Sequence, residues 1–160
     1  MRRIRILLIG SMLLIYNSVS AGWVPQVVQD SLKQMFPNLK SAAWSTDNNY
    51  YVAGFEYNGF GTKIWLDSYG HWVMKQTDWQ TLDQVPMPLY HTFTIGSYAT
   101  DQIDDVIFIE FPHKQALIVI LVQQPDIETK YQLFYTPKGE LLEIRNSTGL
   151  VNPLGAAFFL

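Results

Sequence analysis

Thr62-Lys63-Ile64-Trp65-Leu66-Asp67-Ser68-Tyr69-Gly70-His71-Trp72-Val73 is the stretch that decides the fold. It reads as strand, tight turn, strand: an alternating run, the turn residues Asp67-Ser68-Tyr69-Gly70, then a second apolar run. The same design returns as Tyr131-Gln132-Leu133-Phe134-Tyr135-Thr136-Pro137-Lys138-Gly139-Glu140-Leu141-Leu142. Gly70 and Gly139 hold matching places, where a turn asks for positive φ and glycine supplies it without steric cost. Two hairpins of one design predict a duplicated unit, each copy holding one helix and four short antiparallel strands.

Upstream, Val24-Pro25 opens the first copy, because proline suits a first helical turn whose N–H needs no partner. Val28, Leu32, Met35 and Phe36 then recur at helical spacing, and Pro37-Asn38 ends the helix. Strands are expected around Trp44, from Tyr50 to Tyr57, and on both arms of the opening hairpin to about Thr77. Asn58-Gly59 joins two of them, and both residues tolerate the left-handed conformation of a type I′ turn. Val85-Pro86 restarts the pattern 61 residues after Val24-Pro25, whereas the two turn glycines lie 69 apart. The difference falls between Phe111 and Lys130, in longer strands or loops. The second helix is weaker, with Pro88 in its first turn and Gly96 inside it costing about 1 kcal/mol relative to Ala. Leu117 to Val122 is a continuous apolar run, as in a strand buried on both faces.

The chain begins Met1-Arg2-Arg3-Ile4-Arg5, runs apolar from Ile6 to Tyr16 and reaches Asn17-Ser18-Val19-Ser20-Ala21. That is the layout of a secretory signal peptide cleaved after Ala21, and the apolar core is shorter than the roughly 20 residues a membrane span needs. The expected divisions are a signal peptide over 1–21, a first repeat over 22–84, a second over 85–148 and an apolar tail over 149–160. The tail is too short to span a membrane, and docking on the body would remove the aggregation hazard of Phe158-Phe159-Leu160. Three of the 11 basic residues leave with the leader, so 8 face 14 acidic ones, a formal −6. An acidic chain without a basic run argues against nucleic acid or an anionic membrane as partner. The chain has no cysteine, so disulfides and thiolate metal sites are both absent. A core must supply the stability.

The arrangement resembles the PepSY-like family of secreted bacterial proteins. The residues that carry the likeness are Phe36-Pro37, Trp44, the run Tyr51, Ala53, Phe55, and the run Asp67, Gly70, Trp72. That family is similar to the beta-lactamase inhibitor protein (BLIP). The resemblance implies an α+β fold of two tandem repeats, each one helix plus a four-stranded antiparallel sheet, with the helices packed on one face of a continuous curved sheet. It also implies a periplasmic or secreted location and an inhibitor-like role. The second repeat departs from the pattern, with Pro137 and Lys138 in place of Ser68 and Tyr69 and without the tryptophans.

Catalytic signals are scarce. His71, His91 and His113 fall in different elements, without the spacing of a metal-ligand pair. No Gly-x-Ser-x-Gly elbow or Gly-rich phosphate loop occurs. Asp104 and Asp105 are adjacent, point to opposite strand faces and cannot form a carboxylate pair. The reading is therefore a non-enzyme with no cofactor or metal. Aromatics are the informative residues. Ile64 and Leu66 share one strand face, which leaves Trp65 on the other with Lys63 and Asp67. If the helix covers the Ile64/Leu66 face, Trp65 is displayed; if the tail or a loop covers the second face, it is buried. Display is the expectation, whereas Trp44 and Trp72 are expected in the core. The anticipated function is a binding module that presents Trp65, Tyr57, Tyr50, Phe60, Tyr69 and Trp79 to a protein partner, such as a hydrolase held in check. A small-ligand or glycan binder using the same aromatics is the alternative, and a concave pocket would favour it.

Overall fold

The computed structural model describes residues 21–124, 129–149 and 154–156. The expected signal peptide lies outside the described residues except for Ala21, as does most of the tail. Helix α1 spans Gln26–Met35 and is followed by β1 (Ala43–Asp47), β2 (Tyr50–Tyr57), β3 (Phe60–Leu66) and β4 (Trp72–Asp78). Helix α2 spans Met87–Thr94, and after it come β5 (Gln102–Glu110), β6 (Leu117–Gln123), β7 (Lys130–Tyr135) and β8 (Leu141–Asn146). Each helix starts directly after a proline, Pro25 or Pro86, in extended conformation. Gly96 lies beyond the end of α2 rather than inside it, so the helix escapes the expected glycine cost by stopping at Thr94.

The strands form one eight-stranded sheet in the order β1 to β8, every neighbouring pair antiparallel. The expectation of two tandem repeats, each one helix plus a four-stranded antiparallel sheet, is corrected by this finding of one eight-stranded sheet with two α-helices among the described residues. Only the mixed α+β class stands. β4 pairs directly with β5 through Lys75↔Glu110, Gln76↔Ile109, Thr77↔Phe108 and Asp78↔Ile107. No sheet edge therefore lies between the halves, and a long unpaired edge in mid-chain would have exposed backbone donors and acceptors.

One face of the sheet carries both helices. Val28 and Leu32 of α1 pack on Ala53, Phe55, Ile64 and Leu66. Leu89 and Phe93 of α2 pack on Val106, Ile118, Ile120, Val122, Leu133 and Tyr135. Trp44 and Trp72, half-buried, lean on the first of these cores. Period-two alternation sends the intervening residues to the opposite face, where a third core spans both halves of the sheet.

The two quoted turns clasp the helices. Gly70 and Gly139 have φ of 87° and 89°. A Cβ on Gly70 would lie 2.9 Å from the Val27 carbonyl oxygen and would also strike the Ser31 hydroxyl. A Cβ on Gly139 would lie 2.7 Å from the Pro88 carbonyl oxygen and 2.9 Å from Thr92 Oγ1. Glycine is thus required twice over at each turn, by backbone conformation and by the closeness of the helix. Asp67 accepts the Tyr69 and His71 N–H groups at 2.9 Å each. Thr136 Oγ1 accepts the Glu140 N–H at 3.2 Å in the other turn.

Candidate functional site

The face without helices holds the candidate site. Its buried centre is Val52 (β2), Trp65 (β3), Met74 (β4), Ile109 (β5), Val119 (β6) and Phe134 (β7). Tyr50, Ile107, Phe111, Leu117 and Leu121 ring that centre and are only half-buried. The Arg145 guanidinium of β8 stands 4.9 Å from the centroid of the Phe134 ring, the geometry of a cation–π contact. Among the described residues no helix covers this apolar area. Three residues of the tail do so in part: Leu154 and Ala156 belong to the same core and Gly155 between them is buried.

Two side chains hold that tail segment by its backbone. Gln76 Nε2 donates to the Leu154 carbonyl at 2.6 Å, and the Ala156 N–H donates to Asp47 Oδ2 at 2.6 Å. The same Asp47 oxygen accepts the Trp65 indole N–H at 3.0 Å. Gln76 stands on β4 and Asp47 on β1, so the segment runs across the strands and adds no rung to the sheet.

Trp65 is therefore not displayed. It does stand on the face opposite Ile64 and Leu66, but it is 3% exposed, under the tail and with its indole N–H satisfied. The alternation of β3 gives the side of the sheet and is silent on what arrives from the far end of the chain. Tyr50 is half-buried beside Trp65 in the same core. Tyr57 and Phe60 are cross-strand partners on the helix-bearing face, where Tyr57 is 45% exposed and meets Phe36 edge-on at 5.0 Å. Tyr69 stands in the first clasp turn at 75% exposure, 6.3 Å from the His71 ring. Trp79 is half-buried, stacked on Phe108 at 4.8 Å against the α2 core. The six aromatics thus divide between both faces and one turn, and only Tyr50 with Trp65, and Tyr57 with Phe60, come together. The half-exposed Ile107, Leu117 and Leu121 were missed because an aliphatic strand run reads as core. Asp47 and Gln76 carry no sequence signal at all, since each looks like an ordinary turn or strand residue.

Two further polar features lie on or beside this face. Asp105 on β5 forms a carboxyl–carboxylate pair with Asp78 on β4. Burial, the hydrogen bond its protonated carboxyl donates to Asp78 and the Asp78 charge, with a smaller push from Asp104, raise Asp105 to about 7, against the pull of the Val106 N–H. A carboxyl pair does exist, then, but it joins two strands rather than neighbours in sequence. Gln132 on β7 is fully buried, and its amide has no hydrogen-bond partner among the described residues. By alternation with Phe134 it belongs to the same face.

On the other side, α1, the first clasp turn and the β5–β6 loop enclose an open groove of about 500 Å³. Ser31, Gln34, His71, Trp72 and His113 are among its lining residues. His71 Nδ1 lies 3.1 Å from Asp67 Oδ2, which orients the ring. Among the described residues no group of three or more His, Asp or Glu side chains is placed to hold a metal ion. No helix among the described residues is long and apolar enough to cross a membrane.

No protein-family model and no curated protein matches the chain. Solved structures do. A DUF2874 family protein from Bacteroides uniformis is 45% identical with a TM-score of 0.83, over 86% of this chain and 100% of that one. A candidate periplasmic protein from Bacteroides eggerthii is 43% identical, also at a TM-score of 0.83, over 87% of this chain and 100% of that one. A BLIP-like protein from Bacteroides fragilis is 28% identical with a TM-score of 0.74, over 82% of this chain and 94% of that one. The relationship to the second of these places the chain in the periplasm or outside the cell.

Proposed function

The chain belongs to the DUF2874 family, and from that premise we propose that it is a non-enzymatic periplasmic module that binds a protein partner on the helix-free face of its sheet. The observation that carries this reading is the half-exposed ring of Tyr50, Ile107, Phe111, Leu117 and Leu121 around a buried aromatic and aliphatic centre. An apolar centre that excludes water, with polar groups set among it, is how binding energy is concentrated at protein interfaces. The likeness to a BLIP-like protein favours a hydrolase as the partner class, and an export signal over 1–21 accords with where such a partner would be met. Of the six aromatics named from the sequence, Tyr50 belongs to this face, Trp65 supports it from beneath, and Tyr57, Phe60, Tyr69 and Trp79 stand outside it.

The test is a capture experiment with the mature chain and a periplasmic extract, run beside a Leu121→Lys variant whose folding is checked by circular dichroism. A hydrolase retained by the unaltered chain and lost with the variant is the expected result. Retention that ignores the lysine, or none at all, would refute the face as the site.

A second reading has its own observation. The groove walled by Trp72, His71, Ser31 and Gln34 has the volume of a small-ligand site, and its mix of indole, imidazole and hydroxyl suits a saccharide. Thermal shift with a panel of oligosaccharides tests it: a rise that disappears in Gln34→Ala supports a glycan site, and a flat response removes it.

A further inference from the structure

The tail segment Leu154-Gly155-Ala156 touches the face in an unusual way for a piece of core. No strand pairing among the described residues involves it, and its anchors there include two side chain-to-backbone hydrogen bonds, from Gln76 and to Asp47. Those two groups read a peptide by its carbonyl and its N–H, while Leu154 and Ala156 belong to the same buried apolar core as Trp65, Met74 and Phe134. One backbone acceptor, one backbone donor and two apolar side chains are the elements of a peptide-recognition site with its peptide in place. The buried Gln132 amide, without a partner among the described residues, is another group on this face that could bond to a peptide.

We propose that Leu154–Ala156 is a tethered occupant of the partner-binding face, and that a protein partner binds by displacing it with an apolar segment of like chemistry, a Leu followed by small residues. This rests on the binding-module reading of the same face. Tethering gives the tail a high effective concentration, so it rejects weak ligands and yields only to a segment that makes further contacts with the half-exposed ring. Displacement exposes no strand edge. It exchanges one pair of backbone hydrogen bonds for another and leaves the Asp47–Trp65 bond standing.

An Ala156→Asp variant of the full mature chain sets a carboxylate against Asp47 at a position with 0% exposure, which expels the tail by desolvation and like charge. A fluorescent peptide of residues 151–157, followed by anisotropy, should bind this variant at least tenfold more tightly than it binds the unaltered chain. Adding Gln76→Ala to the variant should weaken the peptide again by about fivefold to tenfold, the loss of one hydrogen bond. Equal binding to both chains, or none to a folded variant, overturns the proposal. Hydrogen exchange in the unaltered chain covers the case of a variant that does not fold. The Ala156 amide must exchange at least tenfold faster than the Val119 amide, by local opening. Exchange of both at the global rate makes the tail a part of the core and ends the proposal. A partner captured equally with and without Ala156→Asp refutes displacement and leaves the binding module standing. A peptide bound by the variant with no protein captured by either chain supports the tethered occupant and refutes the wider reading.

Discussion

The two faces of the sheet are built from the same strands and closed in different ways. On one, α1 and α2 complete two separate cores, each locked by a glycine turn pressed on the helix backbone. On the other, a single core crosses from β2 to β7 and is capped by three tail residues held by Asp47 and Gln76. In the first closure α2 is wound into the chain between β4 and β5, and α1, which precedes β1, is held by the turn at Gly70. The second is an appendage, and its face keeps a half-exposed apolar margin. Permanence on one side and exchange on the other is a division suited to a binding protein.

The hardest blow to this contrast is Trp65→Ala. It should cost about 3–5 kcal/mol in urea denaturation, as for other buried large-to-small changes. A cost under about 1 kcal/mol would mean that the helix-free face is adaptable surface with no core of its own. Gly139→Ala should cost about 2–3 kcal/mol through left-handed strain and collision with Pro88. Gly59→Ala shares the positive φ, but its Cβ would meet nothing within 4 Å, so it should cost less. Equal costs would assign the whole effect to backbone strain and leave nothing for the clasp.

The Asp78–Asp105 pair ties β4 to β5 and makes stability depend on pH. Asp105 is raised from an ordinary 3.8 to about 7 in the fold, so between those values the native chain holds a proton that the unfolded chain has released. The stabilising contribution is complete below about pH 4 and is lost as pH rises through 7. Tm should fall by several degrees from pH 5 to pH 8, and Asp105→Asn should flatten that slope; an unchanged slope would remove the shared proton. Gln76→Ala should cost about 1 kcal/mol, the net worth of its bond to Leu154, and should speed exchange at Ala156 more than at Val119. Tyr69→Ala, at 75% exposure, should stay within about 0.5 kcal/mol of the unaltered chain. A larger loss would move Tyr69 from display to structure.

Local order was legible. Helical spacing at Val28, Leu32 and Phe36, Asn58-Gly59 and the two turn glycines each act within a few residues, and the helices, strands and turns follow them. The doubled hairpin nonetheless led to two four-stranded units where the chain forms one eight-stranded sheet, because two like turns report the design of a hairpin and not the extent of the sheet around it. Of the candidate site, only Tyr50 and Trp65 were reached, and Trp65 for the wrong reason.

Sequence alone determined which residues share a strand face, since side chains alternate whatever surrounds them. What lies over each face was decided by tertiary structure. Ala156 meets Asp47 across 109 residues and Leu154 meets Gln76 across 78, distances at which no local pattern reports. Alternation assigns a side chain to a side of the sheet, and only the path of the rest of the chain settles whether water, a helix or its own tail waits there.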